Sequence, residues 1–489
     1  MSYLQVIQNS HIVTSQEMQA ECDAIANGME PPKQPMGFAV PTEEDYEDYS
    51  ILMDFGLVQR NNIIQDYRDN HTMPKGVKPK EIDLILISHL NHIDHTGRLP
   101  WLYKQGCKAP IYAKSGCREI IRQMLYDSAK IMAHDAEVLC NKHKINATPL
   151  YTTDDVDYMM TFLKEVEYGE EVKFNKNISF SFYSAHHVLN ASQIRLTLTD
   201  GMVTKRIGYT GDIGSPNLKH FYLEDFQPLP FCDVLIGECT YASARRNHKP
   251  KDRVNDIHKM ISVINEAKEN NGRVLIPVFA FDRLELILTL LYKTFNGMSP
   301  LPIIVDTPLG AKIAKEWGNN LVVDEELWDE VYHWSDTKWL DDYADSFMHQ
   351  ESGKPCIVLA SSGMLTAGRA LGWLQHMLSD PKSTVMFCGY SGEGTLAYDI
   401  KMGDKKYLVV DGVSVKNNAK IVSLNSMSSH MCHDELIDYY TTVPYNKLYL
   451  VHSNQDEKVE FANELKGALS KANRTSRVVA TNSGTKIYF

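Results

Sequence analysis

The sequence predicts an α/β protein with more than one domain, and three observations lead to that prediction. Its 489 residues exceed what one ordinary hydrophobic core holds. Residues 178–200 contain two segments of alternating apolar and polar residues, which are typical of half-buried antiparallel strands. Beyond about residue 230, apolar runs alternate with helical segments, which indicates a parallel sheet with helices on its faces.

The elements of the first half follow from local patterns. YSILMDFG is predicted as a strand that ends at Asp54, and IDLILIS as a strand buried on both faces. Residues 116–143 place apolar side chains near a 3.6-residue period and are predicted as one long helix. TTDDVDYMMTFLKEV opens with helix-capping residues and is predicted as a second helix.

The second half repeats a strand–helix pattern. Predicted strands lie in DVLIGECTY, RVLIPVFA, LPIIVDT, CIVLASSG and STVMFCGYSGEG. Predicted helices lie between and after them, over residues 251–270, 282–295, 309–317, about 369–377, 432–442 and 456–471.

Composition limits the functional class. A net charge of −12 argues against a general nucleic-acid coat protein, although a metal or a local basic groove can hold phosphate on an acidic protein. The nine cysteines form no CxxC pair, which suits a reducing compartment. Since no signal-like segment or membrane-length apolar run is present, we expect a cytoplasmic protein without a membrane partner.

The segment ILISHLNHIDHTG carries the strongest chemical signal. It places His89, His92, Asp94 and His95 just beyond a buried strand, where a loop projects its side chains into a cleft. Imidazoles suit zinc, the carboxylate suits a hard or borderline cation, and one such loop can serve two adjacent ions. Three solvated loop histidines would be the alternative, which this density disfavours.

Other strand ends carry the same residue types. His186 and His187 follow an alternating strand, Asp212 lies between glycines in YTGDIG, and His452 follows an apolar strand. LNSMSSHMCHDEL adds His430 and His433. A single strand-end histidine is more often structural, but several such ends predict convergence on one site.

Together these segments resemble the β-CASP family, the RNA- and DNA-processing branch of the metallo-β-lactamase superfamily. That family includes ribonuclease J and the endonuclease subunit of the messenger-RNA cleavage and polyadenylation machinery. The similarity runs in order from about residue 50 to the C-terminus. It is carried by LMDFG at Asp54, LNHIDHTGRLPWLYKQG, AHHVLNASQ at His187 with His186 in place of glycine, TGD at Asp212, ECTY at Glu238, SSH at His430 and LVHS at His452.

The resemblance implies a fold and a division into domains. The fold is a metallo-β-lactamase αβ/βα sandwich with an inserted β-CASP α/β domain. We expect the first part of the sandwich over residues 1–224, the β-CASP domain over 225–410 and the C-terminal part of the sandwich over 411–489.

The resemblance also implies two zinc ions and the residues around them. One ion would be held by His89, His92 and His187, the other by Asp94, His95 and His452, with Asp212 between them and Asp54 orienting the ligands. Asp94, Glu238 and His430 are the implied catalytic residues. For Glu238, a strand-end carboxylate that caps the next helix is the structural alternative.

One departure from the family puts His89 in question. The family motif reads HxHxDH, whereas His89 and His92 lie three residues apart. Either Leu90 occupies the position of the first ligand, or Asn91 is an extra residue that a bulge absorbs so that His89 still points inward. We favour the bulge, because asparagine suits the left-handed position that such a bulge requires; a supporting or solvated His89 is the alternative.

The predicted function is zinc-dependent hydrolysis of single-stranded RNA by an endonuclease, with a homodimer or a processing complex as the expected assembly. Ser361, Ser362 and Gly363, at a predicted strand–helix junction, are candidates for holding phosphate, or else form an ordinary turn. The first alternative function is a scaffold or RNA-binding subunit that has lost metals. The second is a hydrolase for a small ester or lactam, which the β-CASP segments disfavour.

Overall fold

The computed structural model describes residues 4–8, 49–58, 62–90, 92–201, 203–217, 223–247, 250–318, 324–389, 391–392 and 394–487. Three sheets and a hairpin organise this part of the chain. Among the described residues, no helix combines the length and apolarity that crossing a bilayer demands.

The first sheet has five strands, and all its pairs except the first are parallel. In spatial order the strands are Leu4–Gln8, Tyr49–Met53, Leu84–Leu86, Ile111–Lys114 and Leu163–Val166. The second sheet has seven strands. In spatial order they are Arg477–Ala480, Tyr445–Val451, Cys232–Glu238, Val203–Tyr209, Ser192–Asp200, Ile178–Ser184 and Val172–Lys173.

These two sheets form a sandwich. Apolar residues of the first sheet, such as Met53 and Leu86, share one core with Phe182 and Leu196 of the second. Helices cover the outer face of each sheet, because apolar side chains alternate across the strands and need cover on both sides. They are Ile63–Asn70, Ile93–Thr96, Leu99–Lys104, Arg118–His143 and Thr153–Met160 near the first sheet, and His433–Thr442 and Gln455–Lys471 near the second.

The third sheet has six parallel strands and belongs to a separate α/β unit. In spatial order they are Thr337–Trp339, Ile303–Asp306, Ile357–Ala360, Val274–Pro277, Thr384–Phe387 and Lys420–Ser423. Its helices are Pro250–Glu269, Arg283–Thr294, Pro308–Trp317, Glu325–Tyr332, Tyr343–Ser352, Arg369–Met377 and Leu396–Met402. A hairpin, Tyr407–Val410 with Val413–Lys416, completes it.

The predicted α/β fold, a lactamase-type sandwich with an inserted α/β domain, is confirmed. One element of the prediction is wrong. The predicted helix at TTDDVDYMMTFLKEV stops at Met160, and Leu163–Val166 is an edge strand of the first sheet. Thr161 and Phe162 end the helix through backbone bonds to Tyr158 and Met159, which lets the chain turn into the strand.

The domain limits at residues 225 and 410 stay a prediction, and the sheets suggest where to move them. The strand Cys232–Glu238 pairs with two strands of the sandwich, although it lies beyond residue 225. The strand Lys420–Ser423 pairs inside the third sheet, although it lies beyond residue 410. We therefore propose limits near residues 239 and 424.

Candidate metal centre

The histidine-rich loop follows the strand Leu84–Leu86 and lies against the segment after the neighbouring strand. The amide of Phe55 donates to the His95 carbonyl at 2.6 Å, and the amide of Leu57 donates to the Ile93 carbonyl at 2.8 Å. Gly56 lies between them, and a Cβ added there would be 1.5 Å from the Asp94 carbonyl oxygen. Only glycine therefore allows this close backbone approach.

Two groups of side chains meet beyond the ends of these strands. In the first, ligand atoms of His89, His92, His187 and Asp212 all lie within 4.8 Å of one another. His89 Nε2 is 3.0 Å from His92 Nδ1, and His187 Nε2 is 3.8 Å from Asp212 Oδ2.

The second group consists of Asp94, His95 and His452, again within 4.8 Å of one another. Asp94 Oδ2 is 3.8 Å from His95 Nε2 and 3.9 Å from His452 Nε2. Asp212 lies between the two groups, since its Oδ2 is 3.4 Å from His95 Nε2 and its Oδ1 is 3.5 Å from His452 Nδ1. The fold thus brings all seven predicted ligand residues together.

His89 points into this cluster in spite of the unusual spacing. Its side chain is buried, its Nδ1 is 3.0 Å from Ser88 Oγ, and its ring centroid is 4.1 Å from that of His95. Leu90 is buried in the apolar core behind the loop, so it does not occupy a ligand position. Asn91 lies outside the described residues, and the bulge predicted there stays a prediction.

Asp54 is buried beneath the cluster and fixes one of its rings. Its Oδ2 accepts hydrogen bonds from His95 Nδ1 at 2.7 Å, Ser88 Oγ at 2.7 Å and Tyr209 Oη at 2.8 Å. The Ser88 amide donates to its Oδ1 at 2.8 Å. Because Asp54 engages Nδ1, the Nε2 atom of His95 is the nitrogen that faces Asp94 and Asp212.

Thr240 has the same relation to His452. Its Oγ1 is 2.8 Å from His452 Nδ1, while His452 Nε2 faces Asp94. A ring whose Nδ1–H donates to this hydroxyl presents an unprotonated Nε2, which is the form that binds a metal. Ser88, Tyr209 and Thr240 were not predicted as site residues. All three lie inside segments that the sequence analysis singled out for other residues.

Glu238 and His430, the predicted acid pair, are in contact. His430 Nδ1 is 3.1 Å from Glu238 Oε1, and Glu238 is buried. The same carboxylate accepts the amide of Thr240 at 2.9 Å and the amide of Ile213, next to Asp212, at 2.9 Å. Glu238 therefore holds a turn and a loop in addition to His430, and it does not cap the next helix, which begins only at Ala244.

Two further histidines of these motifs lie apart from the ligand groups. His433 is buried, with its Nε2 3.2 Å from Glu464 on the adjacent helix. His186 has a φ of +54°, and its Nδ1 contacts the Glu224 carbonyl at 2.8 Å. A left-handed φ explains why the family motif carries glycine at this position.

The protonation of the cluster follows from burial and from its carboxylates. Burial lowers the pKa of His92 to about 4 and also lowers the pKa of His89 and of His187, which leaves these rings neutral at neutral pH. Burial lowers the pKa of His95 and of His452, but the Asp212 and Asp94 carboxylates, joined at His95 by Asp54, together outweigh it and raise both pKa values. Neutral imidazoles are the metal-binding form, and a cation replaces the protons that the carboxylates attract.

These residues fit a metal site. His187 Nε2 and His95 Nε2 are buried and have no hydrogen-bond partner among the residues that the structure describes. Both atoms face Asp212 at distances of 3.4 to 3.8 Å, beyond a normal hydrogen bond. Imidazole nitrogens and carboxylate oxygens form the donor set that zinc prefers, and a cation between them would satisfy every one of these atoms.

The cluster opens into a large cleft of about 2450 Å³. Its walls include His430 and Asp212 of the sandwich and Phe279 and Ser361–Gly363 of the third-sheet unit. Small-molecule pockets typically measure 300–1,000 Å³, so the cleft has room for a polymer. Ser361–Gly363 do not start a helix as predicted, since the helix begins at Arg369 and the Ser362 amide already donates to the Ala367 carbonyl.

The sandwich and its cluster define a metallo-hydrolase, and comparisons with known proteins specify which kind. A family model described as the Beta-Casp domain matches residues 283–400. A second, described as the Zn-dependent metallo-hydrolase RNA specificity domain, matches residues 414–478.

Similar proteins come from bacteria, archaea and animals. A ribonuclease of Thermus thermophilus is 28% identical over 414 residues, which cover 83% of this chain and 88% of that protein. Transcription termination factor FttA of Methanocaldococcus jannaschii is 24% identical over 438 residues, 87% of this chain and 66% of that protein. Cleavage and polyadenylation specificity factor 73 of Drosophila melanogaster is 27% identical over 394 residues, 78% of this chain and 53% of that protein.

The predicted resemblance to the β-CASP family of metallo-β-lactamase-fold ribonucleases is confirmed, since the chain contains a Beta-Casp domain and a Zn-dependent metallo-hydrolase RNA specificity domain. The prediction of a zinc-dependent hydrolase that acts on RNA is confirmed at the level of this family. The chain spans less than two thirds of the archaeal factor and about half of the fly factor, so what those whole proteins do is not transferred to it.

The close approach of Gly56 to the Asp94 carbonyl predicts that the Gly56→Ala variant binds less metal. The added methyl would press on the Asp94 carbonyl and displace the loop, so we expect a lower zinc content and about 1–3 kcal/mol less stability. Zinc per chain is measured by elemental mass spectrometry and stability by urea denaturation.

Gly467→Ala is the matched control for this substitution. Gly467 is exposed within the helix Gln455–Lys471, and nothing lies within 4 Å of the added Cβ. It should keep its zinc and gain about 0.5–1 kcal/mol from helix propensity. If Gly56→Ala has the zinc content and the urea stability of the native chain, the approach of Gly56 to the Asp94 carbonyl does not constrain the metal loop.

Proposed function

We propose that this chain is an endonuclease that cleaves single-stranded RNA with two zinc ions. The observation that carries the proposal is the placement of Asp212 between the two ligand groups, within 3.4 to 3.8 Å of His95, His187 and His452. A carboxylate shared between two sets of nitrogen ligands suits a pair of ions better than a single one. An intracellular location and a homodimeric or complexed state remain predictions.

The seven residues divide between the two ions as the two groups do. His89, His92 and His187 would hold one ion, and Asp94, His95 and His452 the other, with Asp212 shared. When bound, a zinc pair supplies a water that ionises near neutral pH and neutralises the phosphate oxygens.

The remaining residues of the site orient these ligands. Asp54 holds His95 through Nδ1, and Thr240 holds His452 through Nδ1, so that each ring keeps its Nε2 towards Asp94. Such partners of ligand histidines fix both the tautomer and the orientation of the ring.

Glu238 and His430 supply the proton for the leaving oxygen. Although burial opposes it, the Glu238 carboxylate raises the pKa of His430, which favours the protonated ring. Because Glu238 engages Nδ1, His430 donates through Nε2 to the oxygen that leaves phosphorus. Glu238 also holds the Ile213 amide, so the same carboxylate couples this acid to the loop that carries Asp212.

The volume of the cleft favours an RNA strand over a small ester or lactam. The scaffold alternative rested on the spacing of His89, and the buried contact of His89 with His92 argues against it.

The proposal is tested with Asp212→Asn, which keeps the shape of the side chain and removes its charge. We expect the zinc content to fall and the cleavage of labelled single-stranded RNA to slow by about 10³-fold or more, since charge stabilisation by the ions is worth several kcal/mol. Asp329→Asn, at a carboxylate that is 77% exposed, is the control and should cut normally. Normal cutting by Asp212→Asn would rule out the two-ion mechanism.

His89→Ala tests whether this residue is a ligand. Removing a direct ligand should cost at least as much as removing a supporting residue, so we expect less bound zinc and cleavage slowed by about 10- to 100-fold or more. The control is His333→Ala, at an exposed ring on another part of the surface. Full zinc and full rate in His89→Ala would assign the first ion to the other residues alone and leave the rest of the proposal intact.

A further inference from the structure

Phe279 is an exposed aromatic side chain inside the cleft. It follows the strand Val274–Pro277, and 44% of it is exposed, while the neighbouring Val278 and Phe281 are buried. Other aromatic residues that line the cleft in the described part of the chain, Tyr209 and Phe387, are buried as well. The exposed face of the ring therefore opens into the cleft that also contains the ligand cluster.

The position of the ring is fixed by its surroundings. The Val278 amide donates to the Ala360 carbonyl at 2.9 Å, which extends the pairing of two strands of the third sheet. A Cβ added at Gly363 would lie 3.2 Å from Cδ2 and Cε2 of the ring. Glycine at 363 therefore lets the ring pack closely against this loop by one edge.

The ring lines the same cleft as the proposed acid His430. Arg283, four residues further on, donates through its guanidinium to the Met427 carbonyl and to Ser429 Oγ, and Ser429 is adjacent to His430. Four residues span at most about 14 Å between Cα atoms. An RNA strand whose scissile phosphate lies at the cluster, and which continues along this cleft, would bring one of its bases to Phe279.

We propose that Phe279 is a stacking platform for one nucleobase of the single-stranded substrate. This inference rests on the proposed function. Every base has a π-face, so such a platform holds the strand without selecting a sequence, which suits a nuclease that binds unpaired RNA. The platform would fix the register of the strand relative to the cluster.

The test compares how RNA binding responds to removal of the Phe279 ring and to removal of the nucleobases. Binding of a short oligoadenylate, and of the same strand with abasic residues, is measured by fluorescence anisotropy with a chelator present so that the RNA survives. Phe279→Leu keeps an apolar side chain without the π-face, and we expect about 5- to 150-fold weaker binding of the oligoadenylate. Phe279→Tyr should bind like the native chain, and the abasic strand should not distinguish Phe279→Leu from the native chain.

Phe347→Leu is the matched control, because Phe347 is 50% exposed and does not line the cleft. Equal binding of oligoadenylate by Phe279→Leu and the native chain would overturn the inference. An equal loss of affinity for the abasic strand would also overturn it, because the ring would then act without a base, as a contact for the backbone or for a protein partner.

Cleavage assays with zinc separate this inference from the proposed function. If the native chain cuts RNA and Phe279→Leu binds it normally, the stacking platform is wrong and the nuclease stands. If Phe279→Leu weakens binding of the oligoadenylate but not of the abasic strand, and the native chain does not cut RNA with zinc, the nuclease proposal is wrong and the stacking platform stands.

Discussion

The site depends on one constraint, which is that the buried Asp212 carboxylate lies among imidazoles from separate loops. Burial penalises charge, so a carboxylate and several ring nitrogens cannot share this space without a compensating cation or proton. Burial accordingly lowers the pKa of His89 and of His187, whereas the neighbouring carboxylates raise the pKa of His95 against the effect of burial. A bound metal ion supplies the compensating charge, because the lone pair of each ligand nitrogen and oxygen then has a cation as its partner.

The sandwich leaves the backbone of these loops little conformational freedom. The metal loop is pressed on Gly56, and three site residues, Asp54, His186 and His452, have φ between +54° and +61°. Left-handed conformations of residues other than glycine cost free energy and persist only where surrounding contacts determine them. Asp54 has four such contacts and His452 is held by Thr240, so the strain is balanced by hydrogen bonds within the site.

Much of this could be predicted from sequence, for a physical reason. Strand ends in a sandwich converge, so ordered motifs at strand ends indicated the residues that meet, and the predicted helix 116–143 agrees closely with Arg118–His143. Supporting contacts were harder to foresee: Tyr209 lies in the quoted segment YTGDIG, but its hydrogen bond to Asp54, 155 residues away, depends on how the two sheets pack. The strand Leu163–Val166 was missed because it directly follows a well-capped helix, and the direction of His89 could not be decided from spacing alone.

Two cations share Asp212 in the proposed site. The most direct test of this arrangement is a crystal structure of the zinc-loaded chain with anomalous diffraction data collected on either side of the zinc absorption edge. We predict two anomalous peaks, one among His89, His92 and His187 and the other among Asp94, His95 and His452, each next to one oxygen of Asp212. A single peak, or zinc bound away from Asp212, would contradict the account.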